Sequence, residues 1–350
     1  MLPQQGHVVV SCGVPFGGGG LGRHLKEIID ALDRRGTERS YICESNRSAQ
    51  AGTRRRVPRP GALLAPLESL SPGRRVRNAR VEFDAYAARE LPQADHLMAF
   101  NRQALAQFRT ARARGYSSVA LVTGSPHLRR VARQHALAYA QYPLERSFGT
   151  YVVKRYLTEY EEADRIYVAS RYTWDSFLEH GVPEEKLALF PLTPDPRYAP
   201  APERADSPTF EVVYAGSLSV AKGVPLLIDA FRRLDQPDLR LTLIGSWKTR
   251  AMRRFVEAAT AHDGRITAGP GDPLAAFQRA RLCVHPTYED GFAYAPAEAL
   301  ACGVPVLVSA DTGMKELIDE GRTGLVLPTG DAAALAAAME AAYRGEILGG

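Results

Sequence analysis

The sequence predicts an α/β protein of two doubly wound parallel-sheet domains, and three observations predict it. Short β-like runs alternate with helical patterns along the whole chain, which is the signature of helices layered on parallel sheets. The stretch 190–209, FPLTPDPRYAPAPERADSPT, carries six prolines and little periodicity near the middle of the chain, as a linker does. A length of 350 residues with 45% hydrophobic composition is enough to bury two cores rather than one. The expected boundaries are 1–190 for the first domain, 191–209 for the linker and 210–350 for the second domain.

In the first domain, strands are expected near 7–12, 39–43, 95–100, 118–122 and 165–169, each a β-branched or aromatic run bounded by turn residues. Helices are expected near 21–35, 101–114, 127–141, 149–162 and 171–180. Residues 45–80 are polar and rich in Arg, Pro and Gly, and read as a long loop with room for a short helix. After the linker the alternation restarts, with strands at 210–215, 239–244, 264–268, 281–285, 304–309 and 324–327. Between them fall helices at 224–234, 247–261, 273–280, 295–302 and 313–320, and an Ala-rich helix begins at 331. A small ligand is expected at the carboxyl ends of the strands, in a cleft between the domains.

No stretch approaches the roughly 20 apolar residues that a spanning helix needs. The N-terminal run HVVVSCGV lacks a basic flank and a small-residue cleavage site, so no signal peptide is expected. Cys12, Cys43, Cys283 and Cys302 have no metal-ligand spacing and suit buried thiols in a reducing cytoplasm. The net charge of +5 is unevenly spread: residues 1–190 hold 28 Lys/Arg against 19 Asp/Glu, and 191–350 hold 16 against 20. Much of the excess lies in RRRVPRP (54–60) and RRVRNAR (74–80). Such clusters suit a peripheral contact with an anionic membrane or an acidic substrate, or else form an Arg-rich solvated loop. No aromatic interleaving accompanies them, so nucleic acid is not an expected partner.

FGGGGLG (16–22) matches Gly-x-Gly-x-x-Gly through Gly17, Gly19 and Gly22, with Glu44 about 20 residues on, a dinucleotide fingerprint. Against it, SCGVP intervenes between the expected strand and the first glycine. The alternative is a permissive loop at a helix N-terminus, where Gly18 and Gly19 let backbone amides approach an anionic ligand. A flexible turn alone is the plain alternative.

The second domain carries the stronger signal, in PTYEDGFAYAPAEALACGVPVLV (286–308). Pro296 and Gly303 bracket a short helix, and the amides of Gly291, Phe292 and Ala293 at its positive end form an anion site suited to a diphosphate. Glu298 is expected in the first turn of this helix. Carboxylates flanking an anion site are tolerable if they accept hydrogen bonds from hydroxyls, as a sugar requires.

HPTYEDGFAYAPAEALACGVPVLVSADTGMKELI, with YAGSLSVAKGVPLLIDAF and LRLTLIGS upstream and GRTGLVLPTGD downstream, resembles the family-4 retaining glycosyltransferases of the GT-B fold, in which two Rossmann-like domains face each other across a cleft. The resemblance covers nearly the whole second domain. It is looser in the first, in the Gly-rich loop, GSPH (124–127) and YEEADRIYVASRYTWDSFLEHGVPEEKL (160–187). It implies that Glu298 binds the ribose of a nucleotide-sugar donor and that the first acid of the family's Glu-x7-Glu pair reaches the sugar hydroxyls. Counting back eight residues selects Asp290 and leaves Glu289 as its donor-side neighbour. Lys222 would stabilise the leaving diphosphate, His127 would approach the sugar from the first domain, and Gly216, Ser217 and Gly245 would border the donor.

The sequence departs from the family where an arginine usually accompanies the lysine: Ser217 and Ala221 stand there, so another cation takes that role or the diphosphate is held more weakly. The first acid is Asp rather than Glu, the hinge motif is PLTPD, and the chain ends at AAYRGEILGG, where relatives add further helices. No Asp-x-Asp triplet occurs. The resemblance therefore implies a metal-independent hexosyltransferase without a cofactor, using a UDP-sugar in preference to a GDP-sugar. Its acceptor would be a glycan, lipid-linked or small molecule. The alternatives are a catalytically weak module that binds nucleotide sugars and, from the glycine loop, an NAD-dependent oxidoreductase.

Overall fold

The computed structural model describes residues 2–45, 53–54, 72–146, 150–202 and 207–348. The chain forms two units. Unit 1 comprises Met1–Leu128, Phe148–Ala169 and Thr173–Leu192, and unit 2 comprises Arg129–Ser147, Ser170–Tyr172 and Thr193–Gly350. Two short segments from the first half of the sequence thus group with unit 2.

Unit 1 is a parallel sheet in the order β3-β2-β1-β4-β5-β6-β7. Its strands are β1 (Val8–Pro15), β2 (Arg39–Ser45), β3 (Thr53–Arg54), β4 (His96–Phe100), β5 (Ser118–Thr123), β6 (Arg165–Val168) and β7 (Leu187–Leu189). Period-2 alternation divides their side chains between two cores. Val9, Leu97, Ala99, Leu121 and Ile166 face Phe83, Phe108, Tyr156 and Tyr160 from the helices on one side. Val8, Val10, Met98, Phe100 and Val122 face Leu25, Ile28, Ile29 and Leu32 on the other. Those last four recur at helical spacing along Gly19–Asp33, which is why that segment is a helix and which face it buries.

Unit 2 is a parallel sheet in the order β10-β9-β8-β11-β12-β13. It is built from β8 (Phe210–Ala215), β9 (Leu239–Ile244), β10 (Ile266–Gly269), β11 (Leu282–His285), β12 (Val306–Ser309) and β13 (Gly324–Leu327). Side-chain caps start its longer helices: Thr249 accepts from the Met252 amide at 3.1 Å, and Asp331 accepts from Ala333 and Ala334 at 2.9 Å. The chain winds outward from β1 and from β8, then returns to the other side. Strand order therefore reverses between β1 and β4 in unit 1, and between β8 and β11 in unit 2. Such switch points open a crevice at the carboxyl ends of the strands.

Four local expectations need correction. Pro72–Glu90 is a helix rather than the end of a loop; its sequence opens on an Arg-rich run, and Phe83, Ala87 and, just past its end, Leu91 join the core. The remainder of 46–71, with most of the first basic cluster, lies outside the described residues apart from Thr53–Arg54. Leu187–Leu189 adds a strand too short to register as a pattern. The segment after β12 is a 3₁₀ turn, Gly313–Leu317, rather than a helix to 320. Finally, β1 runs on to Pro15, where its register shifts and Pro15 pairs with Ser45, so SCGVP belongs to the strand and the glycine loop is tight. The spacing objection to a dinucleotide fingerprint therefore does not hold. A Cβ on Gly22 would overlap the Pro15 carbonyl oxygen, so the glycine there serves close helix–strand packing.

All four cysteines are free and buried. Among the described residues, no helix is long and apolar enough to cross a membrane.

Glycines let the loops at the unit 2 switch point meet. Gly223, at φ +71°, opens the helix Val224–Phe231, and a Cβ there would overlap the Pro286 carbonyl oxygen. Gly223→Ala combines left-handed strain with overpacking, and is expected to cost unit 2 about 2–4 kcal/mol. Urea denaturation of the two proteins measures the difference, and an unchanged midpoint would contradict the close approach.

Candidate functional site

The loops after β8 and β11 and the helix Tyr294–Ala301 gather most of the expected donor-side residues in unit 2. Gly216, at φ +145°, and Ser217 leave β8 exposed. A Cβ on Gly245, just past β9, would overlap the Gly216 carbonyl oxygen, so Gly245 admits no side chain between the two strand ends. The two main loops are pinned together by Tyr288, whose amide donates to Ala221 O at 2.9 Å, and by the Thr287 hydroxyl, which donates to Ala221 O at 3.2 Å and Glu289 O at 2.8 Å.

Asp290 is the centre of this arrangement. Lys222 Nζ donates to Asp290 Oδ2 at 2.8 Å and to Glu289 O at 2.8 Å. The amides of Phe292 and Ala293 reach Asp290 Oδ1 at 3.3 and 3.1 Å. The Asp290 backbone accepts from Gly313 N and donates to Asp311 O, both at 3.0 Å, which joins the loop to the one after β12. His285 Nε2 stands 3.6 Å from Oδ2, beyond hydrogen-bond distance. Burial pushes the Asp290 carboxyl up, but the Lys222 ammonium, aided by His285, outweighs it and holds the group well below the usual carboxylate range. Two of the amides expected to face a diphosphate therefore donate to a side-chain carboxylate of the same loop.

Ala293 enters the helix at φ +67°, ψ 90°, a left-handed conformation costly for an L-residue. This places the helix start at Tyr294, so Glu298 lies in the second turn rather than the first, and simple dipole stabilisation at the first turn does not account for it. Glu298 is only 2% exposed. Glu289, the other acid of the pair, turns away from Lys222. Its Oε1 lies 3.1 Å from His135 Nε2, and Tyr139 Oη is 3.4 Å from His135 Nδ1. One ring nitrogen of His135 thus faces a carboxylate and the other a phenol.

The first-domain residues lie in unit 1. Gly18 precedes the helix Gly19–Asp33 at its N-terminus, and Gly17 and Gly19 take positive φ. His127 is 3% exposed. Its ring stacks on His180 at 4.4 Å and meets Phe177 and Tyr160 at 5.2 and 5.0 Å, so the imidazole sits inside an aromatic cluster. His285, Thr287, Asp311 and His135 were not expected at the site. His285, Thr287 and Asp311 stand within the stretch HPTYEDGFAYAPAEALACGVPVLVSADTGMKELI without a pattern that singles them out, and His135 is brought in by long-range folding.

Two Rossmann-like units, each with its strand order reversing at a switch point, are the plan of the GT-B class. The family comparison agrees: the family model described as Glycosyltransferase Family 4 matches residues 18–197, and that described as Glycosyl transferases group 1 matches 209–344. The chain belongs to glycosyltransferase family 4.

Among relatives, a proposed colanic acid biosynthesis glycosyltransferase of Escherichia coli, WcaL, is 27% identical over 54% of this chain and 51% of its own. A D-inositol 3-phosphate glycosyltransferase of Pseudarthrobacter chlorophenolicus is 35% identical over 39% of this chain and 35% of its own. The matched regions thus span about half and about a third of these relatives. Sucrose-phosphate synthase of Thermosynechococcus elongatus shares the fold with a TM-score of 0.73 at 18% identity, covering 97% of this chain and 90% of that one. HepE of Anabaena, solved with UDP-glucose, does so with a TM-score of 0.67 at 16% identity and the same coverage.

Because the folded-state pKa of Asp290 is depressed, its contribution is present above the unfolded carboxylate value near pH 4 and is lost as the pH falls below it. Asp290→Asn is expected to cost about 1–3 kcal/mol at neutral pH, with the gap to wild type closing below about pH 4. Denaturant titrations across pH test this; a gap independent of pH would remove the carboxylate's charge from the account.

Proposed function

We propose that this protein is a retaining, metal-independent glycosyltransferase. It transfers a hexose from a nucleotide-sugar donor, a UDP-sugar in preference to a GDP-sugar, to an acceptor hydroxyl. The observation that carries this reading is the meeting of Lys222 and the helix-start amides at Asp290, at the unit 2 switch point, with Glu298 buried in the helix that follows. The HepE complex with UDP-glucose, in a chain of the same fold, supports a nucleotide-sugar donor, and the named role of WcaL supports cell-surface polysaccharide synthesis. Glycolipid and secondary-metabolite acceptors belong to the same reading, as do a cytoplasmic location and a peripheral membrane contact through the basic clusters.

In this mechanism the acceptor oxygen bonds to the anomeric carbon on the face from which the diphosphate leaves. The bond from that carbon to the phosphate oxygen breaks, and the acceptor proton passes to the departing diphosphate. Lys222 neutralises the charge that develops on the leaving group, and Glu298 accepts from the ribose hydroxyls. Asp290 holds Lys222 and the loop amides in place before the donor arrives and accepts from the sugar hydroxyls once the donor is seated. His127 would have to leave its aromatic cluster to approach the sugar.

A second reading, a module that binds nucleotide sugars with little turnover, is favoured by the pairing of Lys222 and two loop amides with Asp290. Nucleotide release from a panel of UDP-, GDP- and ADP-sugars with varied acceptors separates the two, and binding without turnover across the panel would favour the module. An NAD-dependent enzyme predicts instead a thermal shift with NAD that is lost on changing Gly19 and kept in Glu298→Ala.

Glu298→Ala is expected to weaken UDP-sugar binding by roughly tenfold or more, since it strands hydroxyl donors. Lys222→Ala is expected to lower turnover on the order of a hundredfold with a smaller change in donor affinity. Steady-state kinetics with calorimetric binding decide the matter; equal losses in both quantities for Lys222→Ala would remove its leaving-group role.

A further inference from the structure

His285 is a buried histidine that the mechanism above does not use. It ends β11 and is 4% exposed, and among the described residues neither of its ring nitrogens has a hydrogen-bond partner. Buried polar groups left unpaired are uncommon and costly. The ring lies nearly parallel to that of Tyr214, with centroids 5.9 Å apart and planes 5° apart. Tyr214 is held in turn by the bond its hydroxyl donates to Ser217 O at 2.9 Å. Nε2 of His285 stands 3.6 Å from Asp290 Oδ2, about half an ångström beyond the usual limit of a hydrogen bond.

Asp290 has no need of the imidazole while Lys222 is bound to it. Its Oδ2 accepts from the ammonium at 2.8 Å, and its Oδ1 accepts from the amides of Phe292 and Ala293 at 3.3 and 3.1 Å. The leaving-group role of Lys222 changes this balance, because an ammonium drawn to a diphosphate is drawn away from Oδ2. The carboxylate left behind is half-buried, and burial alone disfavours its charged form. Protonation would weaken the charge-assisted bonds to the two helix-start amides. A second donor at Oδ2 prevents that. In the tautomer with its proton on Nε2, His285 becomes that donor after a small movement of either side chain, and its ring can stay stacked on Tyr214.

We propose that His285 is a positioning residue that takes over Oδ2 of Asp290 when Lys222 turns to the donor diphosphate. The exchange moves no proton. It keeps Asp290 ionised and the helix-start amides aligned while charge develops on the leaving group. It also accounts for a polar ring that is unpaired in the free protein, since the partner it faces is occupied until the donor arrives. The proposal rests on the glycosyltransferase reading for the event that draws Lys222 away; the competition of Lys222 and His285 for one oxygen does not depend on that reading.

Proton–nitrogen NMR of the full chain carrying isotope-labelled histidine follows the Nε2 proton of His285, assigned by its loss in His285→Phe. In Lys222→Met without ligand, and in wild type saturated with UDP, this resonance is expected to move downfield from its place in free wild type. His285→Phe keeps a ring against Tyr214 and removes the donor. It is expected to leave the urea midpoint of wild type unchanged, to lower that of Lys222→Met, and to weaken UDP binding roughly tenfold. His285→Gln, whose amide can donate to Oδ2, is expected to recover part of that affinity. A resonance unchanged in Lys222→Met, or unchanged in wild type saturated with UDP, overturns the proposal, as does an equal cost of His285→Phe in the two backgrounds. The wild-type titration carries the test alone should Lys222→Met fail to fold. No binding of UDP to wild type would instead overturn the donor reading, and the comparison with Lys222→Met then decides whether His285 takes over Oδ2.

Discussion

The carboxylate of Asp290 binds together parts of unit 2 that the sequence keeps far apart. One oxygen takes the Lys222 ammonium from the loop after β8, the other takes the amides that open the helix Tyr294–Ala301, and the backbone at the same residue reaches the loop after β12. A charge in so enclosed a place is tolerable only because its partners are fixed around it. The ammonium and the amides are in turn fixed by the carboxylate. A diphosphate approaching the same groups would meet donors already aligned, and would compete with Asp290 for them. Preorganisation and competition are two consequences of one ion pair.

That ion pair depends on close packing of backbone. Gly223 against Pro286 and Gly245 against Gly216 let the strand ends approach to a separation that any side chain would prevent. Ala293 takes a strained conformation that turns the chain sharply into its helix. Strain of this kind persists only where surrounding contacts over-determine it, and here the Asp290 bond to the Ala293 amide is one of those contacts. Both units follow the same plan of strand order reversing at a crevice.

Much of the architecture was legible because burial periodicity is local. The strands Phe210–Ala215, Leu239–Ile244 and Gly324–Leu327 coincide with the expected segments, and most others differ by only a few residues, since an apolar run between turn residues has few alternatives. The helix Pro72–Glu90 was missed because its first turns are arginine-rich in sequence, although Phe83 and Ala87 later in it join the core. The tight turn after β1 was missed because Pro15 in a strand contradicts propensity; its pairing beside a register shift accommodates it.

The sequence by itself determined two parallel α/β units and the two motifs, VAKG and EDGFAYAPAE, that bring Lys222, Asp290 and Glu298 into consideration, because each of these is written in contiguous residues. Only the tertiary structure decided which way those side chains point. Asp290 turns to Lys222, 68 residues away, and Glu289 to His135, 154 residues away; His127 turns into a cluster with Tyr160, Phe177 and His180. Adjacent acids with the same chemistry thus acquire different partners. The choice is made by which charge and which ring the folded backbone brings within bonding distance, and no local pattern encodes that.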